Sequence, residues 1–82
     1  MPKKPTKYEA LVNMGRKAAE RERDAKKQHD ACMADGRYSD AEEHSYTRRL
    51  YRHILVGYSW VAGEIFGVSG SDYYKQIGYT EA

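Results

Sequence analysis

The sequence predicts an all-α protein: an antiparallel hairpin of two long helices plus a short C-terminal helix, completed as a bundle by homo-oligomerisation. Three observations lead there. A run of strong helix formers extends without a proline from residue 7 to residue 34. A second helical run, residues 40–66, opens on an acidic capping sequence and ends among glycines. Only residues 35–39 separate the two, and so short a connection makes long helices antiparallel neighbours.

Residues 1–5, with Pro2, Pro5, Lys3 and Lys4, read as a disordered basic tail, and residues 6–82 as one helical domain. Thr6 is the expected N-cap of the first helix, and Glu9 completes a capping box. Gly15 alone interrupts that helix, at about 1 kcal/mol relative to alanine. Asp35-Gly36 supplies the stop, with Gly36 suited to a left-handed backbone. Ser39-Asp40-Ala41-Glu42 is the expected cap of the second helix. Gly67, Ser69 and Gly70 end it, and Ser71-Asp72 would cap a short helix over about residues 72–77, closed by Gly78. Folding about a turn near Arg37 places Tyr8 opposite Phe66, Leu11 opposite Gly63, Ala18 opposite Val56, Glu22 opposite Arg52 and His29 opposite Ser45.

The two long helices have unequal faces. At 100° per residue the first carries a narrow stripe of mostly small residues: Tyr8, Leu11, Val12, Gly15, Ala18, Ala19, Ala25, Cys32 and Met33. Glu22 and His29 interrupt it. The second carries Tyr46, Leu50, Ile54, Tyr58, Val61 and Ile65 at spacings of three and four, flanked by Tyr51, Leu55, Ala62 and Phe66. Val56 and Trp60 fall outside even that wide arc. A narrow stripe cannot cover so broad an apolar arc, and contiguous exposed apolar surface marks interaction sites. The expected oligomer interface is therefore Tyr46, Leu50, Ile54, Tyr58, Val61 and Ile65, with a homodimer the favoured assembly.

Composition narrows the function classes. Fourteen basic and twelve acidic residues nearly balance in 82, which argues against a dedicated nucleic-acid binder. The single cysteine excludes an intramolecular disulfide and suits a reducing cytoplasm. The basic N-terminal residues precede no apolar stretch, so no signal peptide is expected. The longest uncharged stretch, residues 54–63, is far shorter than the roughly 20 apolar residues a membrane span needs, so no membrane association is expected.

Four clusters of side chains are candidate sites. Glu22, opposite Arg52 with Arg48 and Arg49 a turn away, is expected to form a solvent-reaching rim ion pair, because desolvating a buried pair is expensive. His29, Cys32 and His44 could converge at the hairpin tip as zinc ligands, but their spacing is not that of a zinc finger and a structural role is expected instead. Cys32 beside His29 also suggests a nucleophile and base; a thiol near a helix C-terminus faces the wrong end of the dipole, so no catalytic residue is expected. Arg48, Arg49 and Arg52 offer phosphate contacts, with Trp60 and Tyr51 available for stacking.

Tyrosine is enriched at protein interfaces, and this chain has eight. Trp60, Tyr73, Tyr74 and Tyr79 are the expected partner contacts, with the tyrosine-rich C-terminal segment either capping the hairpin or binding a partner. Three function classes follow, and no cofactor is expected. The first is a cytoplasmic, non-enzymatic module that binds and blocks or regulates a protein or protein–nucleic acid complex, similar in style to small phage- and plasmid-encoded inhibitors. The second is a nucleic-acid or anionic-nucleotide binder using Arg48, Arg49 and Arg52. The third is a metal-stabilised structural hairpin.

Overall fold

The computed structural model describes residues 6–80; the tail expected at residues 1–5 lies outside them. Three helices follow in order: α1 (Lys7–Ala34), α2 (Tyr38–Phe66) and α3 (Gly70–Ile77). The described residues contain no strand. The two long helices pack side by side, and α3 touches both. The radius of gyration, 14.9 Å, exceeds the roughly 12 Å of a compact chain this long, as an extended hairpin requires.

Local chemistry sets the ends of the elements. The Thr6 hydroxyl accepts from the Glu9 backbone N–H and donates to the Glu9 carboxylate, both at 3.1 Å. At the other end of α1, Gly36 adopts φ +74°; its N–H donates to the Met33 carbonyl, and the Arg37 N–H donates to the Cys32 carbonyl at 2.8 Å. That pair of bonds is the Schellman arrangement, which satisfies the last carbonyls of a helix.

Two caps differ from expectation. Helix α2 begins at Tyr38 with Arg37 at its N-cap, and no side chain caps it, so Ser39 and Asp40 already lie inside the helix. The Schellman turn explains this, because it returns the chain to helical geometry within three residues. Helix α3 is capped by Ser69, whose hydroxyl accepts from the Asp72 N–H at 3.1 Å, rather than by Ser71. It therefore starts at Gly70, earlier than the expected residue 72.

The facing surfaces of α1 and α2 follow alternating spacings of three and four, the pattern of a left-handed helix pair. On α1 the line runs through Tyr8, Leu11, Gly15, Ala18, Glu22, Ala25, His29 and Cys32, all buried or half-buried. On α2 it runs through Ala41, His44, Arg48, Tyr51, Leu55, Tyr58 and Ala62. Ala18, Ala41 and Ala62 on these lines are buried and small, which favours close approach of α1 and α2. Met33, expected on the α1 stripe, is instead 46% exposed.

The main core sits where α3 closes the hairpin. Leu11, Val12, Ala18, Ala19, Leu55, Ala62, Tyr73, Ile77 and Tyr79 form it, with Tyr8 and Phe66 packed edge to face at 5.3 Å between ring centres. Gly15 is essential to this docking. A Cβ at position 15 would overlap the Tyr73 hydroxyl and lie 2.9 Å from Ile77 Cγ2. The missing side chain leaves the Leu11 carbonyl open, and the Tyr73 hydroxyl donates to it at 2.7 Å. Burial pushes the Tyr73 phenol up to about 12, because the phenolate would lose its hydration there.

Candidate functional site

Helix α2 presents two opposite faces, and the arc expected from hydropathy straddles them. Of the six residues expected at an oligomer interface, Ile54, Tyr58 and Val61 are half-buried and packed against the core. Tyr46, Leu50 and Ile65 remain exposed, at 65, 46 and 70%. The physical reason lies in the α1-facing line. Arg48 occupies a place on it because Glu22 requires a partner, and Ala41 and Ala62 occupy others because close approach needs small side chains.

The exposed side of α2 forms its own line: Tyr46, Leu50, His53, Gly57, Trp60 and Glu64, again at spacings of four and three and each exposed. On a helical wheel this line is opposite the face that meets α1. Val56 flanks it at 53% exposure, and Trp60 is 69% exposed. Sequence reasoning set Val56 aside and counted Trp60 only as a partner contact. Knowing which face meets α1 shows that both belong to one surface. Gly57 on this line has nothing within 4 Å of the position a Cβ would take, so no packing among the described residues accounts for a glycine there.

The C-terminal tyrosines correct another expectation. Tyr73 is fully buried and Tyr79 is 8% exposed, so neither is a surface contact. Tyr74 is half-buried and packs edge to face on Tyr79 with ring centres 5.2 Å apart. Of the four expected partner residues, Trp60 alone is fully on the surface. A groove lined by Tyr8, Glu9, Val12, Asn13, Arg16 and Gln76 borders the α1–α3 junction. Its polar groups hold α3 in place: the Tyr8 hydroxyl donates to Gln76 Oε1, and Arg16 donates to the Gln76 carbonyl at 3.3 Å.

Arg48 is taken out of the phosphate-binding candidates. Its Nε donates to Glu22 Oε1 at 2.7 Å, with the Glu22 side chain 7% and the Arg48 side chain 25% exposed. The expectation of a rim pair between Glu22 and Arg52 is thus corrected in both partner and depth. Arg48 lies on the face of α2 that meets α1, one turn nearer the hairpin tip than the expected Arg52, which is exposed. Nearby, the Arg21 guanidinium donates to the Tyr51 hydroxyl at 3.0 Å and lies over its ring. Arg49, Arg52 and His53 are exposed and form no ion pair among the described residues.

At the hairpin tip, His29, Cys32 and His44 are not brought together as a ligand set. Among the described residues no group of three or more His, Cys, Asp or Glu side chains is placed to hold a metal ion. His29 contacts Asp30 instead, Nδ1 to Oδ1 at 3.2 Å, and Cys32 is 2% exposed beneath the turn. No helix of the described residues is long and apolar enough to cross a membrane. Compared with protein-family models, curated proteins and solved structures, the chain shows no match.

Proposed function

We propose that this chain is a non-enzymatic, protein-binding helical hairpin, acting through contact made by the outer face of α2 with another protein surface that it blocks or regulates. One observation carries the reading: Tyr46, Leu50, Val56 and Trp60, all 46–69% exposed, share one side of a helix whose opposite side packs against α1. Large apolar and aromatic groups clustered on one exposed face are the composition of protein interfaces. The buried state of Cys32 and the structural use of the Glu22 carboxylate leave neither group positioned for chemistry on a substrate.

Trp60 is the only tryptophan, so its emission reports on this face directly. In the dilute, isolated chain it should be freely quenched by acrylamide, and protected when a protein occupies the face. Immobilised wild-type chain and the Leu50→Lys variant are then compared for proteins retained from an extract of the source cells. Retention by wild type alone, together with Trp60 protection, supports the reading. Identical retention by both, with Trp60 still open to quencher, overturns it.

The exposed trio Arg49, Arg52 and His53 beside Trp60 favours a second reading, binding of nucleic acid or an anionic nucleotide. Salt-sensitive retention on heparin that falls on Arg49→Glu is its signature.

A further inference from the structure

We infer that the outer face of α2 pairs with the same face of a second copy, antiparallel, about a two-fold axis at the level of residue 55. This rests on the reading of that face as a docking surface, and names a second copy as what covers it when no other protein competes for it.

The first argument is the pattern of the exposed line. Tyr46, Leu50, His53, Gly57, Trp60 and Glu64 are placed symmetrically about residue 55. An antiparallel copy centred there sets Leu50 against Trp60, His53 against Gly57 and Tyr46 against Glu64, each pairing occurring twice. A two-fold interface must be self-complementary in this way, each patch meeting its own inverse. The pairings are complementary in size and chemistry. The exposed indole meets a leucine, the imidazole enters the space a glycine leaves, and the phenol reaches a carboxylate that can accept its hydrogen bond.

The second argument is Gly57. A glycine in the middle of a helix is unfavourable by about 1 kcal/mol relative to alanine, and among the described residues nothing beyond its own helix turn lies within 4 Å of its Cβ position. The antiparallel pairing gives that open position an occupant, His53 of the second copy.

The third argument is charge, which decides the sense of the pairing. A parallel pair would stack Arg49 on Arg49 and Glu64 on Glu64. The antiparallel pair brings Glu64 of one copy within a turn of Arg49 on the other, at both ends of the seam.

Two measurements test the inference together. Light scattering on a sizing column, over a range of concentrations, should show a species of twice the 9.5 kDa chain mass. Leu50→Lys should return it to one chain mass with unchanged helical circular dichroism, since Leu50 contributes little to the core. In parallel, a spin label is placed on Glu42→Cys in a Cys32→Ala background. The 26 helical residues between the two labels in the proposed pairing predict a distance of about 40 Å, at ~1.5 Å per residue. A parallel pair would give under about 20 Å.

A monomer at every concentration overturns the self-pairing, but leaves the face free for a different protein, which the retention experiment detects separately. A dimer that Leu50→Lys does not dissolve, or a label distance well short of about 40 Å, overturns it as well.

Discussion

The two ends of the hairpin are held by different means. Where α3 docks, Leu55, Ala62, Tyr73, Ile77 and Tyr79 close a continuous apolar core against Leu11, Val12, Ala18 and Ala19. Toward the turn, α1 and α2 meet without a third element, and their contact runs through Ala25, His29, Cys32, Ala41 and His44 with the Glu22–Arg48 pair at its border. The first end gains its stability from buried area. The second relies on close backbone approach and one charge-assisted hydrogen bond, with far less apolar surface removed from water. The aromatic residues Tyr8, Tyr58, Phe66, Tyr73, Tyr74 and Tyr79 collect at the first end, where the third helix can enclose them.

The sharpest way to break this contrast is Tyr73→Ala. The side chain is fully buried, fills the space above Gly15 and bonds to the Leu11 carbonyl. Truncating a buried aromatic costs about 3–5 kcal/mol. For a small domain that is a large part of the total, and urea unfolding should show it as a much reduced midpoint. Circular dichroism at low temperature should show whether the turn end remains helical after α3 is released. Loss of all helix together would mean that the turn end depends on the α3 core for its existence.

The hairpin, its all-helical class and the presence of a third short helix were legible from propensity, caps and the short connection. The Gly36 stop followed from the one backbone conformation that favours glycine, and the Tyr8–Phe66 pairing from counting outward from the turn. What escaped was anything decided by side chains meeting across helices. Gly15 read as a flaw in α1; it is the notch that admits Tyr73, a contact 58 residues away in sequence. Glu22 was legible on the inward stripe of α1, but which arginine meets it is decided across the two helices, and it is Arg48. The arc of apolar residues on α2 was visible as a surplus, but its division into core and surface needed the position of α1. Hydropathy ranks residues by their own preference, and here small residues and an ion pair took the facing line ahead of the larger apolar groups.

A smaller effect is expected at the turn end. Glu22→Ala leaves Arg48 partly buried with no carboxylate, and the loss should be about 1–3 kcal/mol, the range for orphaning a buried polar group. Because the Arg48 side chain keeps 25% of its surface in water, the loss should fall below the ~3–5 kcal/mol of a fully buried pair. The double substitution Glu22→Leu with Arg48→Met should recover most of it, since an apolar replacement of a buried pair is often neutral or stabilising. Chemical denaturation of all four members of the cycle measures the coupling. If the double variant is as unstable as Glu22→Ala, then Arg48 contributes packing of its stem and not only its charge.

The smallest effect concerns the Tyr73 hydroxyl alone. Tyr73→Phe keeps the ring and removes the bond to the Leu11 carbonyl, which at neutral pH should lower stability by about 1 kcal/mol. Alkali separates this bond from simple ring packing. The folded phenol is raised to about 12, whereas a tyrosine in the unfolded chain ionises near 10. Below pH ~10 both states hold the proton, and Tyr73 contributes in full. Between about pH 10 and 12 the unfolded chain releases its proton while the folded chain keeps it, so unfolding is favoured increasingly as pH rises. Wild type should therefore lose stability over that window faster than Tyr73→Phe, and the advantage it holds at neutral pH should narrow and then reverse. Urea midpoints of both proteins, followed from about pH 8 to 11, give the difference directly. A difference that stays constant across that range would mean that the phenol is not held neutral by burial, and that the seat above Gly15 is open to water.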